Sequence, residues 1–292
     1  MIEQVIINGL MIGGVYSLIA VGLTMIHGVM KIINFAQGDF LMVGMYATVM
    51  LYSFLQPGTA PYILILPVAV LMFMFGMVIF KTTITRVIGK GDSNYILLTL
   101  GLSYLLQNGA QLIFGPSYIS LPVSNELKFA TIQLGENYIS IPRLIAFAAA
   151  LTLVVIMNFF LTKTDMGRAM RSTAENNTIA TGLGVNVKKV YIIAFGLGTV
   201  FAGISGLLLT PIFFIYPLAG APFSSIAMTV CVLGALGNIK GAMVGGLLIG
   251  LVESFVSGYV NLEMAKVAID LTLLMVLMFK PYGLFGGGAR KA

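Results

Sequence analysis

Apolar residues in this chain come in long runs separated by short polar links. Nine runs stand out: residues 5–26, 40–55, 61–80, 95–114, 141–161, 190–209, 225–236, 242–256 and 267–279. A helix needs roughly 20 mostly apolar residues to cross the hydrocarbon of a bilayer. Runs 225–236 and 267–279 fall short of that unless their flanks are added, so one or two segments are expected to be half-spanning or re-entrant. That form is allowed only where protein or water covers the free backbone groups. The start, Met1-Ile-Glu-Gln, lacks the basic stretch of a cleavable leader, so run 5–26 is expected to be an uncleaved transmembrane helix.

Composition turns these runs into a fold class. Of 292 residues, 59% are hydrophobic and 9% charged, with a mean hydropathy of +1.01. A soluble domain carries about 25% charged residues, and this chain has too few polar side chains to face water all round. The expected fold is all-α: one polytopic transmembrane bundle over residues 1–292, with about eight to ten segments. Cys231 is the single cysteine and His27 the single histidine, which excludes an internal disulfide and a Cys/His metal cluster. Cys231 is expected to be a small packing residue.

Charge adds orientation. The net charge is +6, but the basic residues sit in loops between runs, so the excess marks topology and not a nucleic-acid face. Lys31, Lys81, Arg86, Lys90, Lys163, Arg168, Arg171, Lys188, Lys189, Lys240, Lys280, Arg290 and Lys291 fall on one side, 13 of the 16 Lys and Arg. Lys128, Arg143 and Lys266 fall on the other. The positive-inside rule makes the first side cytoplasmic and puts the C-terminus there. Nine full spans would place the N-terminus outside, and one re-entrant segment would move it inside. The longest outer loop is 115–140, with turn signals at Pro116, Pro122, Asn125 and Gly135, and the longest inner loop is 162–189.

The 34 glycines cluster at small-xxx-small spacing, as in Gly9/Gly13, Gly241/Gly245 and Gly246/Gly250, the pattern of helices that approach closely in lipid. Sliding of helices during a transport cycle is a second reading of the same glycines.

There is no G-x-x-x-x-G-K-[ST] loop for ATP, no G-x-S-x-G elbow and no H-E-x-x-H pair, so an enzyme is not expected. Polar residues inside apolar runs are the remaining candidates, because they are costly there. Asn34, Gln37 and Asp39 open the second run, either as caps of its helix or as pathway and gate groups. Glu253 lies deep in its run. The spacing of Glu263, Lys266 and Asp270 points to a structural ion-pair stripe, with a proton relay as the alternative. In loop 162–189, Thr164 or Asp165 can cap a helix over 167–181, ended by Gly182 and Gly184. On it Ala169, Thr173, Asn176 and Ala180 share one face, with Arg168, Arg171 and Glu175 on another. A 28-residue link is far longer than neighbouring helices need, which makes it a docking element.

Gly167-Arg-Ala-Met-Arg-Ser-Thr-Ala-Glu-Asn176, Ala180 and Gly182-Leu-Gly-Val185 resemble the coupling loop of permease subunits in bacterial branched-chain amino acid ABC importers. Gly13-Gly-Val-Tyr-Ser-Leu18, Asn34-Phe-Ala-Gln-Gly38 and Val232-Leu-Gly-Ala-Leu-Gly-Asn-Ile-Lys-Gly-Ala242, followed by Glu253, resemble the same family in the same order. Of the two paralogues such importers use, the chain is similar to the shorter, H-type one. The resemblance implies a type II importer permease with inverted halves in the bacterial inner membrane. It implies a homologous second permease, two cytosolic ATP-binding subunits and a periplasmic substrate-binding protein as partners, and no cofactor. It assigns ATPase coupling to Gly167, Arg168, Ala169, Met170, Arg171, Ala174, Glu175, Asn176, Ala180 and Gly184, and pathway or gate roles to Tyr16, Asn34, Gln37, Asp39 and Glu253. Implied cargo is leucine, isoleucine, valine or another neutral amino acid, with urea or short amides in some branches. The competing reading is a stand-alone secondary transporter or channel for small neutral solutes.

Overall fold

The computed structural model describes residues 2–55, 59–122, 129–135 and 137–286. Asn125, Lys128, Arg290 and Lys291 lie outside the described residues. Every apolar run forms a helix, and the link 162–189 adds two short ones. In order these are α1 (Ile2–Met30), α2 (Gln37–Tyr52), α3 (Ile65–Thr82), α4 (Asp92–Phe114), α5 (Ile141–Lys163), α6 (Asp165–Glu175), α7 (Asn177–Gly182), α8 (Val187–Leu209), α9 (Ala221–Gly234), α10 (Ile239–Tyr259) and α11 (Leu262–Phe279). Among the described residues six helices are long and apolar enough to cross a membrane: α1, α3 with its flanking 3-10 turns, α4, α5, α8 and α10.

Two helices start inside the bundle. Gln37 Nε2 at the head of α2 donates to Gly198 O (3.2 Å), and Gly198 is the midpoint of α8. α9 starts beside it: Gly38 N donates to Ser224 Oγ (2.8 Å), and Ser224 Oγ donates to Phe35 O (3.0 Å). From there α2, of 16 residues and about 24 Å, runs to the face opposite Lys31. α9, of 14 residues and about 21 Å, runs to the face that carries Lys240. Both are half-helices. The expectation of a half-spanning segment at 225–236 thus holds, 40–55 is a second one, and 267–279 is not one.

Each half-helix follows a long helix and an irregular return, 31–36 after α1 and 210–220 after α8. Each is then followed by two further helices, α3 and α4 in the first case and α10 and α11 in the second. The two sets run in opposite directions through the bundle, so the halves are inverted repeats joined by α5, α6 and α7. A return segment plus its half-helix makes one crossing. Neither segment turns back to the face it came from, so the count of nine crossings stands: α1 starts on one face and α11 ends on the other.

Glycine sets the spacing. α1 and α10 cross with Gly9, Gly13 and Ser17 against Gly250 and Gly246, where a Cβ on any of the four glycines would meet facing backbone. The counterpart pair α8 and α3 uses Gly196, Gly203 and Gly76, which leave room for the Phe73, Met72 and Thr199 side chains of the facing helix. At the centre, a Cβ on Gly38 would overlap Gly220 O and Ser224 N, and one on Gly220 would overlap Gly38. The small-xxx-small reading is therefore seen as close helix crossings.

Residues Thr131–Leu134 (β1) and Asn137–Ser140 (β2) form an antiparallel hairpin within the loop 115–140, with Thr131 opposite Ser140. Gly135 turns it at φ +65°. The hairpin is tied to the start of α1: Gln4 Nε2 donates to Tyr138 O (2.8 Å), Tyr138 N to Gln4 Oε1 (2.8 Å), and Asn137 Nδ2 to Glu3 Oε2 (2.7 Å). Glu263, Lys266 and Asp270 make no ion pair, against expectation. The one ion pair among the described residues joins Arg168 to Asp165.

The midplane crossing yields a prediction. Gly38→Val forces two backbones apart, and we expect a loss of about 1–3 kcal/mol or more. The melting temperature of the purified protein in detergent should fall by several degrees. Gly101→Ala is the control and should not lower it, because a Cβ at that glycine has nothing within 4 Å.

Candidate functional site

The link 162–189 is a built element. Thr164 Oγ1 accepts from Gly167 N (3.0 Å) and caps α6, so of the two candidate caps the threonine is used. Gly167 rests on Phe160 O and Leu161 of α5 with no room for a side chain, which fuses α6 to the end of α5. Gly167, Met170 and Thr173 form the buried face of α6, with Met170 wholly buried. The expected continuous helix over 167–181 is broken. Asn176 is extended (φ −157°, ψ 109°), and its Oδ1 accepts from Thr178 N (3.0 Å) and Ile179 N (3.1 Å) to start α7. The expected shared face of Ala169, Thr173, Asn176 and Ala180 is corrected accordingly: Thr173 and Ala180 are buried, Ala169 is half-buried and Asn176 is an exposed cap. Asparagine competes for backbone donors in this way and so stops one helix and starts the next. α7 ends as expected. Gly184 has φ +84°, and Gly184 N bonds Thr181 O while Val185 N bonds Ala180 O, both at 3.0 Å.

Arg168, Arg171 and Glu175 are exposed and Ala174 is half-buried. Beyond them Ile179 and Leu183, 62% and 77% exposed, stand one helical turn apart. Sequence reasoning missed these two; an isoleucine and a leucine inside a polar link were the available signal. A groove of 590 Å³ runs beside the element, lined by Lys31, Asp92, Tyr95, Glu175, Asn176 and Tyr191.

The intramembrane candidates divide into two groups. Tyr16, 3% exposed, faces Glu253 across the α1–α10 crossing. Glu253 Oε2 is buried without a partner. The Tyr16 ring sits 6.3 Å from that of Phe223 in the first turn of α9. The second group opens α2. The helix has no side-chain cap, which corrects the capping reading of Asn34, Gln37 and Asp39. Instead Asn34 Oδ1 accepts from Ala36 N (3.2 Å) and Asn34 Nδ2 donates to Gln37 Oε1 (3.2 Å), knitting the return segment together at depth. Asp39 turns away toward α4, where Gln107 Nε2 donates to Asp39 Oδ1 (2.9 Å). Sequence reasoning missed Gln107 as well, although an amide inside an apolar run is a legible signal.

Inverted halves, broken helices meeting at the midplane and a structured link on the basic face define a polytopic membrane permease subunit. The family of permease components of branched-chain amino acid transport systems matches residues 5–279, and the chain belongs to it. It is 31% identical to the high-affinity branched-chain amino acid transport permease LivH of Salmonella typhimurium, over 97% of this chain and 95% of that one. It is 28% identical to the corresponding permease BraD of Pseudomonas aeruginosa, over 97% and 95%. It is 27% identical to a probable branched-chain permease LivH of Methanocaldococcus jannaschii, over 97% and 93%. No solved structure matches the chain.

Asn176→Ala removes the cap of α7 and should cost about 1 kcal/mol locally. We expect faster amide hydrogen exchange in residues 177–182, with exchange in α8 unchanged.

Proposed function

We propose that this chain is the transmembrane permease of an ATP-binding cassette importer for branched-chain or similar neutral amino acids. Its face bearing Lys31, Lys163, Lys189 and Lys280 is cytoplasmic, and the C-terminus lies on that side of the inner membrane. A periplasmic binding protein delivers cargo at the hairpin face. A homologous second permease completes the pathway, and two cytosolic ATP-binding subunits supply the energy.

The observation that carries this reading is the link 162–189. It is fixed to α5 by the backbone contact at Gly167, and it presents a charged stripe and two exposed apolar side chains to the basic face. No nucleotide-binding motif occurs in the chain, so the energy must enter from outside, and this rigid element is where it can enter. Arg168, Arg171 and Glu175 match a charged partner groove, Ile179 and Leu183 an apolar one, and the 590 Å³ groove can receive a reciprocal side chain.

α4 supports the second permease. It is the least apolar of the span-length helices and only 17% buried, and its exposed face carries Gly101, Tyr104, Asn108 and Gln111. Amides facing lipid are costly, whereas small and polar residues suit a helix–helix interface or a wetted path. Tyr16 and Glu253 are assigned to the pathway at the exposed start of α9, and Asn34 and Gln37 to holding its other half closed.

Two experiments test the reading. With the transporter reconstituted in vesicles, exchanging the charges through Arg171→Glu and Glu175→Arg should abolish ATP-driven uptake while the protein stays folded and membrane-inserted. Uptake by this chain alone without ATP would overturn the assignment in favour of a stand-alone carrier. For orientation, cysteines placed at Leu183 and at Tyr138 in a Cys231→Ser background should differ in intact cells. Only the one at 138 should react with an impermeant maleimide.

A further inference from the structure

The two returns that lead into the half-helices are closed in different ways. Return 31–36 is closed from within: Ile32, Asn34 and Ala36 are buried, and the Asn34 side chain bonds its own neighbours Ala36 and Gln37. Return 210–220 is closed by another part of the chain. Residues 118–121, which follow α4, pair with it. Ile119 N donates to Ile215 O and Ile215 N to Ile119 O, both at 2.8 Å, in an isolated antiparallel bridge. Ile215 is wholly buried, and Leu121 anchors the crossing segment in the core. Aromatic rings flank the bridge. The Tyr118 ring stands 4.8 Å from that of Tyr216 and 6.3 Å from that of Phe214. Phe213 meets Phe223, in the first turn of α9, edge-on at 6.0 Å, and Phe223 meets Tyr16. Through the return, contacts thus lead from Tyr118, 69% exposed, to the Tyr16–Glu253 pair.

Irregular backbone within a bilayer is allowed only where protein covers it or water fills a cavity beside it. The bridge from Ile119 is a cover that belongs to a separate segment, so it can be lifted without unfolding the return. A hydrogen bond exchanged for one to water costs only about 0.5–1.5 kcal/mol net, so two such bonds part readily once water can reach the same groups. The seal of return 31–36, made by its own buried side chains, has no such release. We propose that residues 118–121 are a strap that shuts the outer end of the path, and that the Ile119–Ile215 bridge parts in each transport cycle. With the strap aside, water meets the backbone of the return. The exposed Phe213 and Phe214 rings then line the way to Tyr16 with a surface that an aliphatic side chain can follow. This rests on the reading of the chain as a permease served by a binding protein at the hairpin face. It adds the element through which docking there opens the path, because strap and hairpin belong to one loop, 115–140.

The test locks the bridge in the complete transporter in proteoliposomes. Ile119→Cys and Ile215→Cys are combined in the Cys231→Ser background. Residues opposite one another in a hydrogen-bonded antiparallel pair have Cα atoms about 5.5 Å apart, within the span of a disulfide. Oxidation, followed by loss of free thiol, should lower initial leucine uptake about tenfold or more, leaving only the uncrosslinked fraction active. Dithiothreitol should restore it, and neither single variant should respond. Assembly is checked by size-exclusion chromatography. Should Ile215→Cys prevent assembly, the lock moves to the exposed pair Tyr118→Cys and Phe214→Cys, joined by a bis-methanethiosulfonate reagent and released in the same way. A crosslinked transporter that takes up leucine as fast as the reduced one means the bridge is a fixed structural tie, and overturns the strap. Failure of both pairs to crosslink overturns it as well, since strap and return would then not lie together. Should the wild-type transporter move no branched-chain amino acid, the reading of the preceding section fails, and the strap, as a gate on that path, falls with it.

Discussion

Inside a bilayer no water is present to complete a backbone hydrogen bond, and each group left unmet costs several kcal/mol. This chain breaks its helices twice at that depth, and the rest of the architecture follows from how the breaks are closed. At the first break Ser224 accepts from Gly38 N and donates to Phe35 O with one hydroxyl, and at the second Ile215 exchanges two backbone bonds with Ile119. Gly38 and Gly220 let the two backbones come close enough for that hydroxyl to reach. Gln37 and Asn34 take up the remaining donors and acceptors. The polar residues that open the second apolar run are therefore structural as a set, and only Asp39 is left with capacity to spare.

Closing the two breaks against each other also explains the inverted halves. α1 and α8 must both pass the midplane where the half-helices start, so they become the two most buried spans, 72% and 78% of their apolar windows. Each then packs against a helix of the other half through glycines, α1 on α10 and α8 on α3. The symmetry is not complete, however. α11 packs along α10, whereas α4 is bound mainly through Asp39–Gln107 and the Tyr46–Phe114 stack. Mobility in such a bundle concentrates where contacts are few and polar.

Much of this was legible in the sequence. Nine apolar runs became nine helices, most of the described basic residues fell on one face with Arg143 and Lys266 on the other, and the glycine spacing marked real crossings. Length alone flagged run 225–236 as short, but the start of the half-helix in run 40–55 was not legible, because the partner of its first turn, Ser224, lies 186 residues away. The break at Asn176 was missed because helical periodicity continues on both sides of it. What decides it is a side chain that satisfies two amides without help from the preceding turn. The hairpin at 131–140 escaped because its strands are four residues each and are held by Gln4 of α1, a contact no local pattern encodes. The expected stripe of Glu263, Lys266 and Asp270 failed for a simpler reason. Spacing of three and four permits a pair without requiring one, and all three side chains stand exposed on α11.

A permease without its own motor needs a stiff input and a compliant path, and the two properties are in tension within one bundle. Here they are separated in space. At the basic face α6 has no freedom relative to α5, since the contact at Gly167 is backbone against backbone, and its buried face also meets the ends of α1 and α8. On the function proposed above, a push on the exposed stripe would be delivered to the two central pillars and not absorbed in a loop. The compliance lies on the far side of α2, where the side-chain ties to α4 are few. α2 starts at the same midplane junction as α9, so the α2–α4 contact is bonded to α8 and α9 through Gln37 and Ser224. Stiffness at the link and looseness at α4 thus belong to one design, with the Gly38–Gly220–Ser224 junction as the fulcrum between them.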